Sequence, residues 1–448
     1  MEIKKYIVTL LLVVVSGLSS GYAQTKKWTL EECILYALGH NITVKQLELQ
    51  QKNSEIDLNT ARNSRLPNLN ASTGQNWNFG RTQMQTGLYE NQTQSNTNFS
   101  ISTSVPLFTG FRIPNEIAKC ELDLLAAVKN LEKAKDDLAL NIASLFLQVL
   151  FNQELLKING EQLNLSKIQV ERTTELVRYE RMPLAQLKDI EAQAANDEVA
   201  VIQAENNLKL ALLDLKQSLE LEQTMEFDIS IPDFGAVMTD YMGGIESPQT
   251  VFDNAVQTKP AVKEQKLRVA SSEKTLKIAE AGYYPSLNFS MGYGTNYFVH
   301  YSKNFTNRPL SEQLKNNGGE YIGFSLSVPI FNRYSVRNQV KSARLNIENQ
   351  RLILENTKKT LFKEIQTAYQ NAVAAQEKYR ASEKAITAAT ESFNSANIKY
   401  ESGKSTVFEF NEAKNRLLKS QSEAIQAKYE YIFRTKILDF YNGKEIKL

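Results

Sequence analysis

The sequence predicts a mainly α-helical chain with a β-barrel part, built from two tandem repeats. Three observations predict it. Four short motifs recur in the same order at a spacing of about 220 residues. Each repeat contains a nearly glycine- and proline-free stretch too long for a globular core. Each also carries two strands with one small polar face and one apolar face, the pattern of a barrel wall in lipid.

The duplication is read from the motifs. Ala37 in "YALGHNITVKQLEL" lines up with Ala255 in "FDNAVQTKPAVKEQKL", and "LPNLNAS" at 66–72 with "YPSLNFS" at 284–290. "VPLF" at 105–108 matches "VPIF" at 328–331, and "YERMPLAQLKDIEA" at 179–192 matches "YESGKSTVFEFNEA" at 400–413. Four matches in register mean an internal repeat. The first repeat spans 24–222 and the second 251–440. Each reads as helix, β-hairpin (68–107, 286–330), very long helix, tip (179–190, 400–412) and helix. Residues 223–250, with Pro232, Gly235, Gly243, Gly244 and Pro248, join the repeats, and the tail 441–448 is expected to pack with them as an outer belt.

Ahead of the repeats, residues 1–23 read as a secretory signal peptide: Lys4 and Lys5, an apolar run from Ile7 to Val15, then small residues to Ala23. That run is too short to span a bilayer, and nothing later supplies about twenty unbroken apolar residues. A membrane form of the mature chain is therefore β-structure. The formal charge of +2 gives no reason to invoke nucleic acid. His40 and His300 are the only histidines, so an imidazole metal cluster or His-centred triad is not expected, and no cofactor is implied. Cys33 and Cys120 are expected to be small buried residues rather than a disulfide.

From Pro114 to Tyr179 there is one glycine, Gly160, and from Tyr334 to Glu401 neither glycine nor another proline. Each helix would be about 100 Å long. Ile117, Leu124, Leu131, Leu138 and Leu145 recur every seven residues, as do Val340, Ile347, Leu354, Leu361, Ala368 and Ala375. This is the seam of supercoiled helices. It narrows to alanine and serine at Ala375, Ser382, Ala389 and Ala396, where close approach is expected.

In the strands, Phe99, Ile101, Thr103 and Val105 oppose Ser100, Ser102 and Ser104, and Leu287, Phe289, Met291 and Tyr293 oppose Ser286, Asn288, Ser290 and Gly292. Four strands cannot close a barrel, yet every strand edge in lipid must be paired. Two copies would supply eight strands and three would supply twelve. Pro106 and Pro329 mark where each strand leaves the barrel and the chain swerves into its helix. A soluble β-sandwich, or a periplasmic or surface coiled-coil structural or adhesive protein, stays open on these grounds.

Taken with the duplication and the two "VP-hydrophobic-F" exits, the tip "YESGKSTVFEFNEAKNRL" at 400–417 resembles the TolC-like outer-membrane factor family. The resemblance covers essentially the whole mature chain. It implies a homotrimer: a twelve-stranded barrel in outer-membrane lipid, continued by a long periplasmic α-helical barrel. Gly403 matches the family's turn glycine, and Glu409 and Glu412 stand where the family has two aspartates three residues apart. In a trimer these imply an acidic ring at the channel gate, in which like charges would raise one another's pKa. Tyr400 and Asp189 match a polar latch between tip helices. The family's arginine falls on Ser405, its threonine falls on Lys188, and Met182-Pro183 replaces the glycine turn at the first tip.

The resemblance implies a passive exit duct of a tripartite efflux pump or type I secretion system, not an enzyme. Its partners would be a periplasmic adaptor, docking near Met182, Pro183, Gly403, Lys404 and Ser405, and an inner-membrane pump of the RND or ABC type. The implied location is the outer membrane of a Gram-negative bacterium, reaching into the periplasm.

Overall fold

A computed structural model of the chain describes residues 27–83, 87–91, 93–222, 226–232, 245–301 and 305–444. The signal peptide, Gly235, Gly243, Gly244 and the last four tail residues lie outside these. In chain order the elements are β1 (Lys27–Trp28), α1 (Leu30–His40), α2 (Ile42–Asn63), β2 (Asn68–Asn78), β3 (Arg81–Gln83), β4 (Tyr89–Asn91), β5 (Gln94–Thr109), α3 (Arg112–Arg178) and α4 (Leu184–Ser218). Then follow β6 (Asp228–Ile229), α5 (Pro248–Thr258), α6 (Pro260–Glu280), β7 (Ser286–His300), α7 (Leu310–Asn316), β8 (Gly319–Ser327), α8 (Ser335–Glu401) and α9 (Val407–Tyr441).

The repeat is more regular than its motifs suggest. α1 and α5 have 11 residues each, α3 and α8 have 67, and α4 and α9 have 35. Up to the first strand of each hairpin the copies are offset by 218 positions (Leu30 to Pro248, Asn68 to Ser286); from the long helix onward the offset is 223 (Arg112 to Ser335, Leu184 to Val407). All five extra residues therefore fall between the start of each hairpin and its long helix.

The chain folds as two compact units. One comprises residues 46–133 and 259–360. It holds an antiparallel sheet in the order β2-β5-β7-β8, whose outer strands pair with no other described strand. Register sets Leu69, Thr103, Met291 and Ile322 in one row and Val105, Phe289 and Phe324 in another, the last two rings 5.2 Å apart. Asn68, Ser104, Ser290 and Gly323 form a row on the opposite face. Leu69, Ile322 and Phe324 remain 72%, 71% and 69% exposed. The four strands carry one carboxylate, Glu320, and no lysine or arginine. A sheet with a single charged side chain and its large apolar side chains in the open is what lipid requires and water does not tolerate.

Above Gly294, β7 continues past the first residue of β8. Side-chain amides replace the missing strand. Gln313 of α7 accepts from Phe298 N–H at 2.9 Å and donates to its carbonyl at 2.9 Å, Asn307 does the same at His300 (2.7 and 2.9 Å), and Asn317 donates to Asn296 O at 2.9 Å. The 298–319 connection thus contains a short helix that closes a sheet edge.

Pro106 lies inside β5, where a bulge between Pro106 and Phe108 absorbs its missing donor, and Pro329 lies beyond the end of β8. The swerve into each long helix falls four residues after each proline. There two consecutive left-handed residues turn the chain: Gly110 (φ 63°) and Phe111 (67°), and again Arg333 (55°) and Tyr334 (62°). Beneath the sheet strands, Leu58 and Ala61 of α2 bury against Ile113 and Ile117 of α3. Ser271 of α6 donates to Asp123 of α3 at 2.5 Å, and Arg351 of α8 pairs with Glu273 of α6 at 3.4 Å. The helix order α2-α3-α6-α8 therefore repeats the strand order.

The other unit comprises the chain up to Lys45, residues 134–258 and the chain from Leu361. Its core joins Cys33 and Ala37 of α1, Ile142, Phe146 and Leu150 of α3, Leu215 of α4, Ile229 of β6 and Ile432 of α9. By length and composition α3 is the one described helix long and apolar enough to cross a membrane. Ile142, Phe146, Leu147, Val149 and Leu150 of this helix are buried in the core. Burial pushes the Cys33 thiol up to about 12, and Cys33 and Cys120 are both free. Asn442 bonds Glu246 at 2.9 Å and Asn254 at 2.9 Å, tying the end of α9 to residues near the start of the second repeat.

The seven-residue seam holds along α8, with Val340, Ile347, Leu361, Ala368, Ala375, Ser382 and Ala389 buried. Along α3 it changes chemistry. After Leu145 the same phase continues as Asn152, Asn159, Ser166 and Thr173, all buried.

Candidate functional site at the helix tips

Each long helix ends in the same hydrogen-bonded reversal. At the second tip Lys404 N–H reaches Lys399 O (2.8 Å) and Gly403 N–H reaches Tyr400 O (3.0 Å), with Gly403 at φ +70°. That is a Schellman turn, which needs one left-handed residue. At the first tip Arg181 N–H reaches Leu176 O (2.8 Å) and Glu180 N–H reaches Val177 O (2.9 Å), with Glu180 at φ +56°. Glu180, not Met182-Pro183, is the structural counterpart of Gly403. Pro183 instead occupies the N-cap of α4, where its fixed φ of −69° suits helix entry but supplies no side-chain cap.

The second tip has a full cap in that place. Thr406 Oγ1 accepts from Glu409 N–H at 3.2 Å while Glu409 Oε2 accepts from Thr406 N–H at 3.1 Å, and Ser405 donates to the same oxygen at 2.5 Å. These hydrogen bonds, Ser405's first, hold the Glu409 carboxyl below the usual carboxylate range. Within one chain Glu409 is thus a capping acid. The Thr-x-x-Glu spacing at 406–409 is the sequence signal of that role. Glu412, exposed one turn on, pairs with Arg416 at 2.9 Å. Both carboxylates lie on one exposed face of α9.

Tyr400 stacks on Phe410 (4.9 Å, 28°), which also meets Phe393 at 5.7 Å. Asp189 is exposed and makes no hydrogen bond with Tyr400 inside the chain; Lys188 beside it pairs with Glu191 at 2.7 Å. The link that the structure does bring together at the tips is Arg172 of α3 with Glu401 of α8, at 3.5 Å. Met182 is half-buried, and Lys404 exposed.

Sequence reasoning missed the most buried charge. Lys414 of α9 is 1% exposed and meets Asp197 of α4 at 2.6 Å. Ser166 of α3 bonds both, and Gln193 donates to the other Asp197 oxygen at 2.8 Å. Burial lowers the Lys414 pKa and Asp197 partly opposes that. The cluster fastens three helices of one unit together.

No curated protein matches the chain by sequence. Among solved structures, CusC, whose structures concern transmembrane channel formation, superposes with a TM-score of 0.77 at 15% identity, covering 94% of this chain and 95% of that one. The Campylobacter jejuni CmeC outer-membrane channel gives 0.75 at 17%, with 93% and 86% covered, and the Vibrio cholerae outer-membrane protein VceC gives 0.74 at 15%, with 92% and 96%. Residues 34–220 and 251–439, one stretch in each repeat, match the outer membrane efflux protein family, to which this chain belongs.

Proposed function

We propose that the chain forms the exit duct of a tripartite efflux pump or type I secretion system, conducting substrates passively from the periplasm to the exterior. The observation that carries this reading is the four-stranded sheet with a single charged side chain and two open edges, in a family of outer-membrane efflux proteins. Three copies close it as twelve strands around the polar face. The helices continue the conduit into the periplasm, and the tips at 179–190 and 400–412 form the gate where an adaptor docks, coupling the duct to an RND or ABC pump. The chain does no chemistry of its own; the pump supplies the work.

Glu409 and Glu412 from three copies give six carboxylates around one axis, a cation-attracting mouth. Tyr400 and Asp189 act between neighbouring helices to hold it shut. The test is native mass of the detergent-extracted protein followed by conductance in planar bilayers. Three chains and a cation-selective pore, less selective in Glu409→Ala/Glu412→Ala, are expected. A monomer released without detergent overturns the duct in favour of a coiled-coil scaffold.

A further inference from the structure

In the unit that carries the sheet, the helix row and the strand row end on the same two flanks. α2 runs into the open edge strand β2, and α8 leaves the open edge strand β8. Each of these flank helices bears an apolar pair on the side turned away from its own chain. On α2, Leu58 is buried but Leu49 and Ile56 are 61% and 62% exposed. On α8, Val340 and Ile347 are buried, while Leu345 and Leu352 are 72% and 64% exposed. Two residues along a helix is a rotation of about 200°, so inner and outer stripes lie on opposite faces.

Resting on the trimeric reading above, we propose that these stripes are the helical seam between copies. Ile56 of one copy meets Leu345 of the next, and Leu49 meets Leu352. The topology forces the neighbours: if β8 of one copy pairs with β2 of the next, α8 lies beside the next copy's α2, antiparallel to it. The spacing then sets the register, because seven residues back along α2 match seven forward along α8. The depths agree too. Ile56 lies seven residues before the end of α2 and Leu345 ten after the start of α8, about 10 and 15 Å along their axes. In this register the exposed Lys52 and Glu348 flank the apolar layers on one side and the exposed Asn53 and Asn349 on the other, so charge and polarity are complementary. Exposed apolar side chains of this size are buried by a second copy, just where lipid forbids open edges above them.

The test is oxidative cross-linking in membranes of the double variants Ile56→Cys/Leu345→Cys and Leu49→Cys/Leu352→Cys, against the mismatched Ile56→Cys/Leu352→Cys. The parent chain, with only Cys33 and Cys120, is the control. Matched pairs should give dimer and trimer bands that reductant removes, at least tenfold above the mismatched pair, which is displaced by about 10 Å. A trimer by native mass with equal or no cross-linking of matched pairs overturns this seam and leaves the duct standing. A monomer by native mass overturns both.

Discussion

Lys414 has left water almost entirely, and Asp197 and Ser166 hold its charge in place. Removing one member of such a pair costs far more than removing both. Lys414→Met should cost about 3–5 kcal/mol, and Lys414→Met/Asp197→Leu should recover most of it. The urea midpoint of the detergent-solubilised protein reads both. Nothing in the sequence marks Lys414, because a lysine on an amphipathic helix reads as solvated until the helices around it are known. Glu409 was legible in principle through Thr406, yet its family position drew it toward the channel mouth and away from its own backbone. Its depressed pKa has a definite sign. The cap is intact above the ordinary glutamate pKa of 4.5 and is lost as pH falls through the lowered folded value. Protection of the amides at 406–410, taken relative to their intrinsic exchange rates, should fall over that acid window, and in Glu409→Ala it should be low at every pH.

Turns set the next scale. Gly403 and Gly110 both hold left-handed backbone, but a Cβ on Gly403 meets open space while one on Gly110 would lie 2.6 Å from Ala281 O and 2.8 Å from Tyr284 Cβ. Gly403→Ala should therefore cost about 1 kcal/mol, the backbone cost alone. Gly110→Ala should cost visibly more, by thermal unfolding of the two variants side by side. Glu180→Gly relieves the strained reversal of the first tip and should be neutral to stabilising, by up to about 1 kcal/mol. Among the long helices, α8 was readable from its apolar period. The length of α3 was readable from its near-absence of glycine and proline, but its seam only to Leu145, because Asn152, Asn159, Ser166 and Thr173 keep the phase but not the hydrophobicity on which period-reading depends. α7 was hidden for a similar reason: its partners are backbone groups on a strand edge, and sequence patterns do not display them.

At the scale of the whole molecule, the duplication, the hairpins and the pair of great helices could be read from residues alone. Copy number could not, because strand alternation reports a lipid face without saying how many faces close the wall. The sheet sets a solubility expectation. Alkaline carbonate should leave the chain in the membrane fraction and detergent should release it; release by carbonate would favour the scaffold. The shift of offset from 218 to 223 carries a further consequence. One residue added to a 67-residue helix turns everything beyond it by about 100° and drags its stripe off the seam. The same residue added between the strands of a hairpin turns nothing. The hairpin connections are therefore where lineages of this duct can drift in length, and where an epitope tag can be spliced without cost to the conduit.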